Sequence, residues 1–156
     1  YLYLDVVSCF TPICCICKFY SCSAISTSFN YGFKEEGEVC KGILLFSPIV
    51  DLTIDDPLLK GKFLPAAFGS RLDEVSSNSP MQNIRRFDYP ILILAAENDL
   101  PYMTDTLARF QANSDNDIRL KITKGQSHQT LLFKLGRQTF DDTETITQFS
   151  KEILKN

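Results

Sequence analysis

The stretch Pro90-Ile91-Leu92-Ile93-Leu94-Ala95-Ala96-Glu97-Asn98-Asp99 decides the fold. Its apolar residues run on without alternating with polar ones. That pattern suits a strand of a parallel sheet covered on both faces. Polar, turn-forming residues end it, and an acid, Asp99, stands where the strand stops. Upstream, Gly42-Ile43-Leu44-Leu45-Phe46-Ser47-Pro48 has the same character and is halted by Pro48. Downstream, Ile118-Arg119-Leu120-Lys121-Ile122 alternates, as a half-buried or edge strand does. It leads into Gly125-Gln126-Ser127-His128, which holds the only histidine of the chain.

Helical patterns separate these strands. Pro101 opens a helix with Met103, Leu107 and Phe110 at i, i+4 and i+7, an amphipathic stripe. The loop carrying His128 is followed by a last helix over residues 143–155, whose expected core stripe is Ile146, Phe149, Ile153 and Leu154. Asp141, Asp142 and Glu144 sit at its positive end, and Lys151 and Lys155 at its negative end, so the charges complement the helix dipole. Residues 13–19 read as a buried strand, and the segment from 25 to 33 as a helix. Residues 49–88 are an excursion. Within it Asp55-Asp56-Pro57 marks a helix start, residues 63–68 form a short helix ended by Gly69, and Ser79-Pro80 is a break. Strand, helix, strand, excursion, strand, helix, strand, helix is the order of an α/β protein with a mostly parallel sheet and right-handed crossovers. No repeat, linker or low-complexity tract divides it, so residues 1–156 read as a single domain.

Composition sets the outer bounds. With 156 residues, 44% hydrophobic and 22% charged, the chain is long enough to build one modest core. A formal net charge of −3 leaves no basic surface for nucleic acid. Cys9, Cys14, Cys15, Cys17 and Cys22 crowd the start of the chain, and Cys40 is the only other cysteine. Buried free thiols in an apolar strand of a cytoplasmic protein are the simplest account. A palmitoylated cluster stays open as an alternative, whereas a zinc site lacks paired Cys-x-x-Cys knuckles. The apolar run over 6–17 has no basic lead and is too short to span a bilayer. The chain begins at Tyr1 rather than Met, and the expectation is a piece of something longer.

Residues 41–156 resemble the C-terminal half of an α/β-hydrolase of the esterase and kynurenine-formamidase (arylformamidase) kind. The resemblance rests on Lys41-Gly42-Ile43-Leu44-Leu45-Phe46-Ser47-Pro48-Ile49-Val50-Asp51-Leu52, on Ser79-Pro80, on Tyr89 through Asp99, and on Gly125-Gln126-Ser127-His128. Residues 1–40 form a divergent N-terminal segment. The resemblance implies a partial α/β-hydrolase fold with a mostly parallel sheet flanked by helices. It also implies a hydrolase of small-molecule esters or amides, with Asp99 as triad acid and His128 as triad base. No metal or organic cofactor is implied.

The chemistry makes sense of those roles. A serine hydroxyl needs an adjacent base to act as a nucleophile at neutral pH. Imidazole can take its proton and return it to the leaving group. A carboxylate on the far ring nitrogen fixes the tautomer and stabilises the imidazolium. Taken singly, a loop histidine is ordinarily just solvated, and Asp99 could merely end a strand or cap the Pro101 helix. Their order after the expected strands favours the catalytic reading. Glu97 is the rival acid, but it sits closer to the strand and is less well placed to reach across.

The nucleophile is the weak part. The family requires Gly-x-Ser-x-Gly between strand and helix, and the matching place here is Ser21-Cys22-Ser23-Ala24-Ile25. Ser23 is the candidate nucleophile, yet both flanking glycines are missing, and the β-branched Ile25 would press into the strand beneath the turn. The family's upstream oxyanion-hole loop is also not seen in the sequence; losing one such donor costs about 3 kcal/mol of transition-state stabilisation. The expectation is therefore a weakly active or inactive chain. Two alternatives stand beside it: a catalytically dead hydrolase fold kept for binding or scaffolding, and an aberrant truncated gene product whose first residues are misjoined. Substrate identity and oligomeric state stay open.

Overall fold

The computed structural model describes residues 8–10, 13–17, 42–86, 89–134 and 142–155. Five strands form one sheet in the order β1-β2-β3-β4-β5: β1 Ser8–Phe10, β2 Ile13–Cys17, β3 Ile43–Phe46, β4 Ile91–Asn98 and β5 Ile118–Ser127. β1 pairs antiparallel with β2, and β2 through β5 run parallel. The mostly parallel sheet agrees with the sequence; the added strand β1 was not anticipated. Ser23, the rest of the elbow segment 21–25 and the helix expected over 25–33 lie outside the described residues, as do Cys22 and Cys40. Cys9 lies in β1, and Cys14, Cys15 and Cys17 in β2.

The unbroken apolar runs have a direct structural cause. Alternate residues of β3 and β4 face opposite sides of the sheet, and each side is covered. On one side Ile43, Leu45, Ile91, Ile93 and Ala95 pack with Leu107 and Phe110 of helix α2, Met103–Ala112. On the other, Leu44, Phe46, Leu92, Leu94 and Ala96 pack with Leu131 of α3, His128–Lys134, and with Phe149 and Ile153 of α4, Thr143–Lys155. β5 alternates because it has a neighbour on one edge only among the described residues, and its side chains run from buried Ile118 to exposed Arg119.

Two details of the expected helices change. The stripe of α4 is Ile146, Phe149 and Ile153; Leu154 is 40% exposed. Each residue advances about 100° around a helix, which carries Leu154 off the face that Ile153 presents. His128 begins a short helix, α3, instead of standing in a loop. Asp142 anchors the start of α4 from below: its buried carboxylate accepts from the Thr123 hydroxyl and meets the Lys121 ammonium at 2.6 Å.

The excursion folds over its own small core of Leu52, Leu59, Leu64, Phe68 and Val75. The Asp56 carboxylate accepts the Leu59 amide at 2.7 Å, close to the expected start at Asp55-Asp56-Pro57. A wide turn over Leu59–Phe63 runs into helix α1, Leu64–Phe68, and Gly69 ends it at φ 59°. Ser79 closes the excursion: its buried hydroxyl accepts the Leu52 amide at 3.1 Å and donates to the Val50 carbonyl. Among the described residues no helix is long and apolar enough to cross a membrane.

α4 approaches β3 closely at Gly42. A Cβ there would lie 2.8 Å from Ile153 Cδ1 and 3.3 Å from the Pro90 carbonyl oxygen. Gly42→Ala should therefore destabilise the fold by about 1–2 kcal/mol through overpacking. In an Ile153→Val background, which removes Cδ1, most of that added cost should vanish. Urea unfolding of the two single variants and the double variant measures both terms.

Candidate active site

The site is built by a change of register between β4 and β5. From Ile91↔Ile118 to Ala96↔Thr123 the two strands pair in step, and the next pair is Asn98↔Ser127. Two residues along β4 are thus matched by four along β5. The bulge sits at the turn residue Gly125, whose φ is +65°. Continued without the bulge, the pairing would set Asp99 beside Gln126. With it, Asp99 faces His128.

Glu97 holds this bulge in place. Its carboxylate accepts the Gly125 amide at 2.8 Å. The rival acid is therefore engaged with the backbone that presents the histidine, and it is Asp99 that meets the ring. The Asp99 Oδ2 lies 2.9 Å from His128 Nδ1. The Asp99 side chain is 1% exposed and that of His128 20%. The other carboxylate oxygen, Oδ1, accepts the Leu100 amide at 2.7 Å. Asp99 does not cap α2: Tyr102 occupies that position with no side-chain cap, and the Met103 amide donates to the Leu100 carbonyl.

Electrostatics fixes the proton. Burial pushes the Asp99 carboxyl up, but hydrogen bonds from His128, the Ser47 hydroxyl and the Leu100 amide outweigh it and leave the group below its ordinary value of 3.8. Asp99 is then an ionised acceptor at neutral pH, so His128 Nδ1 must carry the hydrogen between them. On a neutral ring that leaves Nε2 with the lone pair, the arrangement a general base requires. Beside the pair, burial with the nearby charges of Asp56 and Asp99 pushes the Tyr102 hydroxyl up to about 12. Its oxygen is buried and has no hydrogen-bond partner among the described residues. Neither Ser47 nor Tyr102 was singled out from the sequence. Ser-Pro reads only as a strand stop, and a tyrosine after a proline reads only as the start of a helix. Among the described residues no group of three or more histidines, cysteines and acids could hold a metal.

Two predictions follow from this geometry. An Asp with a depressed folded pKa stabilises the fold fully above its unfolded value near 3.8, and that contribution is lost as the pH falls through the lower folded value. Asp99→Asn should therefore be less stable than the parent at pH 7 and approach it as the pH falls below the ordinary carboxylate range, as followed by urea unfolding across pH. At Gly125 no atom lies within 4 Å of an added Cβ, so only the left-handed backbone opposes a side chain. Gly125→Ala should cost about 1 kcal/mol and Gly125→Asn less, since asparagine tolerates that region.

No family model matches the sequence, and no curated protein matches it. Solved structures do. Esterase B from Lactobacillus rhamnosis, inhibited by a C4-C4 SN3 tributyrin phosphonate, superimposes with a TM-score of 0.63 at 13% identity, over 86% of this chain and 48% of that one. Thermogutta terrifontis esterase 2 phosphonylated by sarin gives 0.51 at 21% identity, over 74% and 43%. The apo form of the same Thermogutta esterase gives 0.50 at 24% identity, over 74% and 42%. The chain spans less than half the length of these structures. What it carries is part of an α/β-hydrolase fold, a mostly parallel sheet flanked by helices.

Proposed function

We propose that this chain is the C-terminal part of a serine hydrolase of carboxylic esters or formamides, similar to esterases and kynurenine formamidases, in which Asp99 and His128 are the acid and base of a triad. The observation that carries the reading is the 2.9 Å contact between a buried, ionised carboxylate and Nδ1 of the only histidine. The esterases that share the fold support an ester as the substrate class, one of them having been trapped with a tributyrin phosphonate.

In the first step Nε2 of His128 takes the proton of a serine hydroxyl as its oxygen bonds to the acyl carbon. The tetrahedral intermediate then expels the alcohol or amine, which receives the proton from the imidazolium. Asp99 keeps the ring in the Nδ1–H form and stabilises the cation between the two steps. Water, deprotonated by the same Nε2, attacks the acyl-enzyme. The acid leaves, and the serine regains its proton. Ser23 is the proposed nucleophile in this chain. The missing glycines of its elbow and the bulk of Ile25 make the chain a weak catalyst or an inactive one.

A fluorophosphonate probe tests the nucleophile, and hydrolysis of a short acyl ester tests the pair. Weak labelling of this chain that is lost in Ser23→Ala, and losses of about 10³-fold or more in turnover for His128→Ala and Asp99→Asn in a longer parent with an intact Gly-x-Ser-x-Gly elbow, are the expected results. Labelling no greater than in Ser23→Ala would leave a hydrolase fold retained for binding. Turnover unchanged in His128→Ala would remove the triad altogether.

A further inference from the structure

His128 is the first residue of α3. Side chains on a helix tilt towards its N-terminus. A residue in the first position therefore leans back past the helix end, here towards the end of β4, where Asp99 lies. How far the ring reaches depends on where the backbone around it is held. That backbone follows the bulge at Gly125, where β4 and β5 leave their common register.

Two sets of side-chain hydrogen bonds hold it. Ahead of the histidine, the Glu97 carboxylate accepts the Gly125 amide at 2.8 Å. Around it, Ser127 and Thr130 cap each other. Thr130 Oγ1 accepts the Ser127 amide at 2.8 Å, and Ser127 Oγ accepts the Thr130 amide at 3.3 Å. This is a capping box, with Ser127 at the N-cap, His128 at the first helical position and Thr130 at the third. The Thr130 hydroxyl has one proton to give, and the Ser127 carbonyl and hydroxyl each lie 3.2 Å away to take it. Glu97 and Thr130 are exposed, so water could serve the two amides instead. The net gain in stability from such exchanges is small. What the side chains add is a fixed position for the backbone.

We propose that Glu97 and Thr130 are positioning residues for His128: their side chains clamp the backbone at Gly125 and at Ser127 and so deliver the imidazole to Asp99 Oδ2. Glu97 belongs to β4, the strand that leads directly into Asp99, so it ties the approach of the histidine to the strand of the acid. Thr130 belongs to the helix that His128 opens, so it fixes the angle at which the chain leaves β5. The role deepens the proposed function and rests on it for its catalytic meaning. The placement of the ring does not need turnover to be observed.

The test separates position from stability. Thr130→Val removes the acceptor oxygen but keeps the branched shape, and Thr130→Ser restores the oxygen. Glu97→Ala and Glu97→Gln do the same for the other clamp, since the glutamine amide keeps an acceptor. The readout is the ratio of Nδ1–H to Nε2–H forms of the neutral His128 ring, by nitrogen-15 NMR of the whole chain with its single histidine. Thr130→Val and Glu97→Ala should each lower the ratio about fivefold, the worth of one hydrogen bond. Thr130→Ser and Glu97→Gln should bring it back. Gly42→Ala, which crowds Ile153 instead, should weaken the fold in urea and leave the ratio alone. A ratio unmoved in Thr130→Val or in Glu97→Ala, or lowered as far by Gly42→Ala, would overturn the proposal and leave these bonds as surface contacts only. That failure would not touch the hydrolase reading, which falls instead if His128→Ala leaves turnover of the longer parent unchanged. A ratio lowered in both variants, beside such unchanged turnover, would keep the positioning role and discard the triad.

Discussion

The whole site depends on a two-residue slip in one strand pairing. Parallel β4 and β5 march in step until Ala96, and the extra length that β5 accumulates around Gly125 then advances its chain against β4. Side chains in a strand alternate faces, so register decides which groups can meet. In-step pairing would offer Asp99 a glutamine; the slipped pairing offers it an imidazole. The left-handed backbone at Gly125 makes the slip sterically cheap, and Glu97 satisfies the amide that the slip exposes. The packing beneath supports both residues: β4 is covered on one side by α2 and on the other by α3 and α4.

Asp99 is a buried charge that is kept charged. Removing a carboxylate from water is costly unless donors replace the water. Here the amide of Leu100 and the ring of His128 do so, at 2.7 and 2.9 Å, and the group stays below its ordinary value despite burial. In the proposed triad such an acid would fix a tautomer rather than exchange protons itself. The histidine is the more exposed partner, so the group that would handle a substrate's proton is the one nearer to solvent.

Much of this was legible in the sequence, for physical reasons specific to each segment. The apolar runs at Ile43–Phe46 and in β4 lack alternation because both faces are buried, and α4 announced itself through Phe149 and Ile153. The acid and the histidine could be picked out because each follows a strand. The register slip was not legible: nothing in Lys124-Gly125-Gln126 distinguishes a bulge from a turn. Nor could the sequence separate Asp99 from Glu97 by more than position, since the choice is made by where each carboxylate finds a donor. Leu154 was misassigned because adjacent apolar residues at the end of a helix compete for one stripe, and geometry admits only Ile153. Ser47 escaped notice because positive φ on a residue before proline contradicts the local preference of the chain. Within the excursion the short helix and its Gly69 stop were foreseen, but the closure through Ser79 depends on contacts far apart in sequence.

The single histidine makes the central claim open to direct measurement. Nitrogen-15 NMR of the neutral ring distinguishes a proton on Nδ1 from one on Nε2. The Asp99 contact predicts that neutral His128 carries its proton on Nδ1, and that Asp99→Asn abolishes this preference. A ring that carries its proton on Nε2, and does so equally with or without the Asp99 carboxylate, would contradict the pairing on which the fold's chemical reading stands.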